Sequence, residues 1–290
     1  MAAPVILMYH SISPDDDDPF DITVRPPRFE QQLRWLRRTG RTGTSVGQLL
    51  AARDRGDGRR LVGLSFDDGY ADFIEHALPV LRRYGFSATM FVPAGQLGQA
   101  NDWDPEGPRK QNMTAPQLRE IAEAGVEIGS HGFRHRSLPY ASDAELAEEI
   151  ETSRAMLRDI TGQPVTGFCY PYGHLDERAV SGVQAAGYGY GCSVWPTGFA
   201  GQYALAREYM RSRTRPGRCG IAACGTGSSM STAGPAPGHC ARPRSVTSQR
   251  WPRWCQARAK AAEAVSLGHA TEAVLRSATW RVYPSSTHKF

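Results

Sequence analysis

The sequence predicts an α/β fold organised on a parallel sheet or barrel. Three features carry that expectation. Short apolar runs recur along the first 210 residues, amphipathic stretches of helical period separate them, and acids, histidines and tyrosines cluster where the apolar runs end. Strands alternating with helices of about ten residues or more read as βαβ units. In a parallel barrel, the strand carboxyl ends and the loops that follow them build the site.

The expected strands are, in order, VILMY (5–9), LVGLSF (61–66), SATMFV (87–92), VEIGS (126–130), GFCYPY (167–172) and YGYGCSV (188–194). Between them, FEQQLRWLRRTG sets Phe29, Leu33 and Leu36 on one helical face and stops at Gly40. HALPVLRRYG and APQLREIAEAG stop at Gly85 and Gly125, residues suited to a left-handed helix end. DAELAEEIETSRAMLRDITG begins behind Ser142, an N-cap residue type, and stops at Gly162.

Composition bounds the class. The chain has 290 residues, 40% hydrophobic and 22% charged, enough to build a packed core. A run of about 18 apolar residues is absent from the sequence, which excludes a transmembrane helix. The opening MAAPVILMYHSISPDDDD has no basic region before its short apolar stretch and does not read as a secretory leader. A cytoplasmic location with six reduced cysteines is therefore expected.

Charge divides the chain after Met210. Residues 211–290 carry 13 Lys+Arg and two acids, Glu263 and Glu272, a net +11, leaving 21 basic and 27 acidic groups, a net −6, in residues 1–210. The extension also holds Cys219, Cys224, Cys240 and Cys255 but only seven Ile, Leu or Val. Little independent core is expected from it. Residues 225–238 read as loop, and one helix is expected near 256–277. A basic tail can mark a nucleic-acid binder, but aromatic residues are not interleaved with the arginines as such modules require, so no nucleic-acid partner is expected. An irregular extension lying over the barrel fits better. A change of reading frame in high-GC coding sequence would leave the same composition.

Four polar clusters sit at strand ends. LVGLSF runs into Asp67-Asp68-Gly69, and two adjacent carboxylates behind an apolar strand are costly unless they have a use. As a plain turn, Asp68-Gly69 would suffice. VEIGS runs into His131-Gly132-Phe133-Arg134-His135. Histidines at i and i+4 share a face if this segment is helical or tightly turned, and imidazoles with a carboxylate suit Zn²⁺. GFCYPY runs into Gly173, with Tyr170 and Tyr172 flanking Pro171, a turn that can present an aromatic wall and a backbone N–H. The first strand ends in Tyr9-His10-Ser11, which brings His10 to the same rim.

Together these segments resemble the polysaccharide deacetylase family, the nodulation-type carbohydrate N-deacetylases of carbohydrate esterase family 4. Ser65-Phe66-Asp67-Asp68-Gly69-Tyr70 is similar to its first motif, His131-Gly132-Phe133-Arg134-His135 to its second, and Phe168-Cys169-Tyr170-Pro171-Tyr172-Gly173 to its third. Tyr9-His10-Ser11-Ile12 resembles the N-terminal tag of one branch, and Ala88-Thr89-Met90-Phe91-Val92 fits the strand between the first two motifs. The likeness spans about residues 4–210.

The resemblance implies a distorted (β/α) barrel of fewer than eight strands, here with an irregular C-terminal extension. It implies that Asp68, His131 and His135 bind Zn²⁺, with Co²⁺ or Mn²⁺ as alternatives, and that Asp67 is the general base. It implies that the metal polarises the acetamide carbonyl and lowers the pKa of water toward about 7. The backbone N–H of Tyr170 is expected to help hold the oxyanion. Three departures stand out. Gly132 replaces a Ser or Thr, Cys169 replaces an Arg that orients the base, and no residue after Met210 aligns with the family's late acid His. His239, His269 and His288 lack a recognisable context, which leaves His10 or a water as the acid. The expected activity is zinc-dependent removal of an N-acetyl group from an N-acetylglucosaminyl substrate. Without an export signal, a small glycoside such as the pseudoaglycone of a teicoplanin-type glycopeptide antibiotic is the expected substrate. The alternatives are a cell-surface polysaccharide and a catalytically silent carbohydrate- or metal-binding barrel. A wide groove lined by Trp103 and Trp195 is expected for a bulky glycoside.

Overall fold

The apolar runs become short strands at the expected places. The computed structural model describes residues 3–214 apart from Asp16, Trp195, Pro196, Gly198 and Ala200. In chain order the first elements are β1 (Ile6–Tyr9), β2 (Ser11–Ile12), β3 (Thr23–Val24), α1 (Pro26–Arg38), β4 (Thr42–Thr44), α2 (Val46–Asp54), β5 (Leu61–Phe66) and α3 (Leu78–Tyr84). They are followed by β6 (Thr89–Val92), α4 (Ala115–Glu123), β7 (Glu127–Ser130), α5 (Asp143–Ala147), α6 (Ser153–Thr161), β8 (Gly167–Cys169), α7 (Glu177–Ala185), β9 (Tyr190–Cys192) and β10 (Glu208–Tyr209). The loop expected at residues 225–238 and the helix at 256–277 lie outside the described residues.

The main sheet is parallel throughout and runs β10-β1-β5-β6-β7-β8-β9, with β4 pairing the start of β5 beside that path. Strands buried on both faces need apolar residues at every position, which is why β5 reads LVGLSF without alternation. Between β9 and β10 the ring is bridged by the Ser193 N–H donating to Leu205 O at 2.8 Å. This is the distorted barrel of seven strands that the resemblance implies.

Local sequence explains the helix limits. Pro26 and Pro27 open α1, where their fixed φ suits the first turn, and Phe29, Leu33 and Leu36 face inward. Thr114 with Gln117 and Ser142 with Glu145 form reciprocal capping boxes for α4 and α5. α3 and α6 stop at Gly85 and Gly162, both left-handed. Each of α3 and α6 is preceded by a wider π turn, residues Phe73–Ala77 and Glu148–Thr152. β4, α2, α7 and β10 have no counterpart in the sequence expectations. α2 illustrates why. Its apolar residues make no distinct stripe, and its capping Ser45 sits in an ordinary polar stretch.

Register does the functional work. Tyr9 pairs with Phe66, Ser65 with Thr89, Val92 with Ser130, and Ser130 with Phe168. The carboxyl ends of β1, β5, β7 and β8 open on the same rim of the parallel sheet, and the next residues there are His10, Asp67-Asp68, His131 and Tyr170. Beneath them an aromatic cluster locks β1 to β5 and α1. Tyr9 stacks on Phe66 at 5.2 Å, and Phe29 meets both edge-on. Such pairs add about 0.5–1.5 kcal/mol each beyond their buried area. Among the described residues, no helix is long and apolar enough to cross a membrane.

Residues 211–214, just beyond the boundary expected after Met210, contact the start of the barrel. Ser212 Oγ accepts from the Arg25 N–H at 3.0 Å, the Arg28 guanidinium donates to Ser212 O at 2.7 Å, and Arg211 lies 3.3 Å from Asp21. A chain ending at Thr214 keeps every element described above. It is expected to fold with a thermal midpoint within a few degrees of the full chain, whereas a chain ending at Met210 loses these contacts and melts lower. Calorimetry of both truncations checks this. Failure of the longer one to fold would place core residues beyond Thr214.

Candidate active site

Asp67 continues the β5 ladder, its N–H donating to Tyr9 O at 3.0 Å. The next two residues turn left-handed, Asp68 at φ 71° and Gly69 at φ 67°. That turn sends the adjacent carboxylates to different partners. The Asn112 amide donates to the Asp68 carbonyl, and the Met113 N–H donates to Gly69 O at 2.8 Å, so the turn is held from outside. Among the described residues four non-glycines have positive φ: Asp21, Asp68, His135 and Tyr172. Three of the four surround one cluster, and backbone strain of about 1–3 kcal/mol per residue concentrates where a site requires it.

The His131–His135 segment is not helical. It is an irregular loop in which Gly132 (φ 79°) and His135 (φ 62°) are left-handed, so the i,i+4 spacing works by a tight fold of the chain rather than a helix face. The His131 Nδ1 donates to the Cys169 carbonyl at 2.8 Å, which leaves the Nε2 lone pair free to face Asp68. Asp68 Oδ1 lies 3.4 Å from His131 Nε2 and 3.2 Å from His135 Nε2. The His135 ring is held between Trp103, stacked at 4.8 Å, and Tyr172, edge-on at 4.5 Å.

These residues fit a divalent ion. One carboxylate oxygen and two imidazole nitrogens lie within 4.8 Å of one another, all on buried residues. Asp68 Oδ1 and His135 Nδ1 are buried and have no hydrogen-bond partner. A mixed O/N set of three suits zinc with an open position. Burial alone would push the Asp68 carboxyl up, but the two imidazoles beside it outweigh that and hold it well below the usual carboxylate range.

Asp67 is gripped separately. Arg207 donates to both of its oxygens at 2.7 Å, and also to Ser65 Oγ at 3.0 Å and the Ser193 carbonyl at 3.1 Å. Burial raises the Asp67 carboxyl, yet the guanidinium prevails and the group ionises more readily than an ordinary aspartate. Arg207 also reaches Cys169 Sγ at 3.0 Å. Sequence reasoning missed it. A lone Arg in a stretch without a motif carries no signal until the chain brings β10 beside β1.

The other expected residues divide. His10 is at the rim, with Nε2 3.9 Å from Asp67 Oδ2 and the ring edge-on to Tyr209 at 5.8 Å. Burial lowers its pKa against the opposing pull of Asp68 and Asp67. Tyr170 requires a correction. Its N–H donates to Cys192 O at 3.1 Å in the sheet and its hydroxyl to Tyr203 O at 3.0 Å, so the N–H is already consumed and cannot serve an oxyanion. The tyrosine of this turn that touches the cluster is Tyr172. Trp103, half-buried, stacks on His135, and Trp195 lies outside the described residues. His239, His269 and His288 also lie outside them.

A buried ion pair that loses one partner strands the other charge at a cost of about 3–5 kcal/mol. Arg207→Gln is therefore expected to lower unfolding stability by about that amount, measured by urea denaturation. Arg207→Gln combined with Asp67→Asn removes the stranded charge and should recover part of the loss.

The comparisons with known proteins agree with this geometry. The family model described as polysaccharide deacetylase matches residues 54–191. The Bacillus subtilis (strain 168) protein YxkH, named for polysaccharide deacetylase, is 31% identical over 222 residues, covering 75% of this chain and 73% of its own. The poly-beta-1,6-N-acetyl-D-glucosamine N-deacetylase of Staphylococcus aureus (strain MSSA476) is 25% identical over 182 residues, covering 59% of this chain and 61% of that protein. The Streptococcus pyogenes deacetylase PplD, solved in complex with acetate, shares the fold with a TM-score of 0.63 at 24% identity, covering 74% of this chain and 95% of that one. The Bacillus cereus polysaccharide deacetylase BC0361 gives a TM-score of 0.63 at 23% identity, covering 77% and 69%. With one relative aligned over three quarters of the sequence and the family model spanning every strand from β5 to β8, the chain belongs to the polysaccharide deacetylase family.

Proposed function

We propose that the protein removes the acetyl group from N-acetylglucosaminyl units by metal-dependent amide hydrolysis, with Asp68, His131 and His135 holding a zinc ion and Asp67 acting as general base. The observation that carries this reading is the split of the Asp67-Asp68 pair: one carboxylate faces two imidazole nitrogens, the other an arginine. A divalent ion bound there would supply Lewis-acid polarisation of the acetamide carbonyl and acidify the attacking water.

The chain's own residues do the rest. Asp67, kept ionised and oriented by Arg207, takes a proton from the attacking water. His10 is the imidazole beside Asp67 that is not part of the Asp68 cluster, and it delivers a proton to the departing amine. Acetate and a free amine result. A polymer containing N-acetylglucosamine is the substrate we favour, supported by the names of the relatives. No feature among the described residues singles out a glycopeptide aglycone. The teicoplanin-type glycoside therefore enters the test as the competing substrate.

The test is acetate release from poly-N-acetylglucosamine, chitooligosaccharides and a glycopeptide N-acetylglucosaminyl glycoside, before and after chelation and zinc restoration. Loss on chelation and recovery with zinc are expected, with a higher kcat/KM on a polymer. No turnover of any of these by zinc-replete protein would overturn the reading in favour of a silent binding barrel. Asp67→Asn is expected to keep one zinc per chain and lose about 10²–10⁴-fold in kcat, whereas Asp68→Ala loses zinc and turnover together. The pH profile supplies a further check. The base must be ionised, and Arg207 is what holds its pKa down against burial. Without that charge the folded-state pKa rises, so the acidic limb of kcat/KM in Arg207→Gln should move to higher pH. An unmoved limb would mean that Asp67 is not the group that titrates there.

A further inference from the structure

Gly132 and the buried Glu149 occupy one space. Gly132 is left-handed, and a Cβ built on it would overlap Glu149 Oε2. Glu149 lies in the π turn between α5 and α6, fully buried, and points its carboxylate at the backbone of the histidine loop. Oε2 accepts from the Phe133 N–H at 2.7 Å and Oε1 from the Arg134 N–H at 2.9 Å. The Gly132 N–H is held from the same side by Ser130 Oγ at 3.2 Å, itself 2.7 Å from Ser153 Oγ on α6. Glu149 thus satisfies the loop amides at positions 133 and 134, and Ser130, backed by Ser153 of α6, satisfies the one at 132.

We propose that Glu149 is the positioning residue of the metal loop: its carboxylate gathers the Phe133 and Arg134 amides and so holds Gly132 and His135 in the left-handed geometry that turns the His131 and His135 Nε2 atoms onto Asp68. The hydroxyl side chain that Gly132 lacks is replaced by a carboxylate arriving from the opposite side, and a glycine is needed because that carboxylate fills the place of a Cβ. Converging amides around an anion form a stable nest, and they need an acceptor because buried N–H groups left unpaired cost about 1–3 kcal/mol each. Glutamine has one carbonyl oxygen and would aim its own N–H₂ at a loop amide. A wider turn at this point of the helix is the device that reaches the loop, in keeping with the tendency of π turns to mark functional positions.

This inference rests on the reading of Asp68, His131 and His135 as ligands, and the experiment separates the two. Zinc affinity of the folded apoprotein is measured by competition with a chromophoric chelator, and the cobalt-substituted absorption spectrum is recorded, for wild type, Asp68→Ala, Glu149→Gln and Gly132→Ala. Removing an outer partner of a metal site costs about 10–100-fold in affinity. Glu149→Gln is expected to weaken zinc binding by that factor and alter the cobalt spectrum at temperatures where circular dichroism reports a folded chain. A merely structural role would lower the thermal midpoint and leave affinity and spectrum unchanged, which would overturn the proposal. Gly132→Ala displaces the carboxylate without altering it, should reproduce the loss, and keeps the proposal testable if Glu149→Gln does not fold. Because both variants break one contact, the double variant should bind no worse than the weaker single one. Additive losses would count against the proposal. If wild type itself binds no stoichiometric zinc, or Asp68→Ala binds as wild type does, the ligand reading falls and this inference with it.

Discussion

Two neighbouring carboxylates must be kept apart at the end of β5, and the site follows from how that is done. Side by side and buried, Asp67 and Asp68 would repel one another and favour protonation. The left-handed turn at Asp68 sends one side chain toward two imidazoles and leaves the other facing Arg207. Each carboxylate then has its own counter-group, and both pKa values fall rather than one rising. Two successive carbonyls of that turn, Asp68 O and Gly69 O, are hydrogen-bonded by the adjacent residues Asn112 and Met113 of the segment that precedes α4.

The cost of this arrangement is spread over distant parts of the chain. Arg207 sits 140 residues from Asp67 and is anchored by Ser65, Ser193 and the Phe91 ring as well as by the carboxylate. A guanidinium buried so completely is tolerable because planar, bidentate geometry satisfies most of its donors. The histidine loop is supported in a comparable way from the α5–α6 edge. Family motifs mark the residues that face the chemistry. The residues that hold those groups still lie elsewhere.

The resemblance covers the barrel and makes the chain a carbohydrate deacetylase by family. It also shows where position within a motif misleads. Tyr170 and Tyr172 are both in the third motif, two residues apart. Tyr170 continues a strand ladder and spends its N–H on Cys192, whereas Tyr172 follows Pro171 into a left-handed turn and meets His135. Only the end of β8 decides which of the two is available.

By itself the sequence determined the parallel α/β order, six strands of the barrel path, the limits of the capped helices, and the Asp and His residues at the strand ends. These are local quantities: apolar runs, caps, terminal glycines and short motifs act within a few residues of themselves. What only tertiary structure decided are the contacts between separated segments. Arg207 against Asp67 and Glu149 against the loop amides depend on strand register and on the ring nearly closing between β9 and β10. No periodicity in one segment encodes a partner more than a hundred residues away, because that pairing is set by the whole packed sheet.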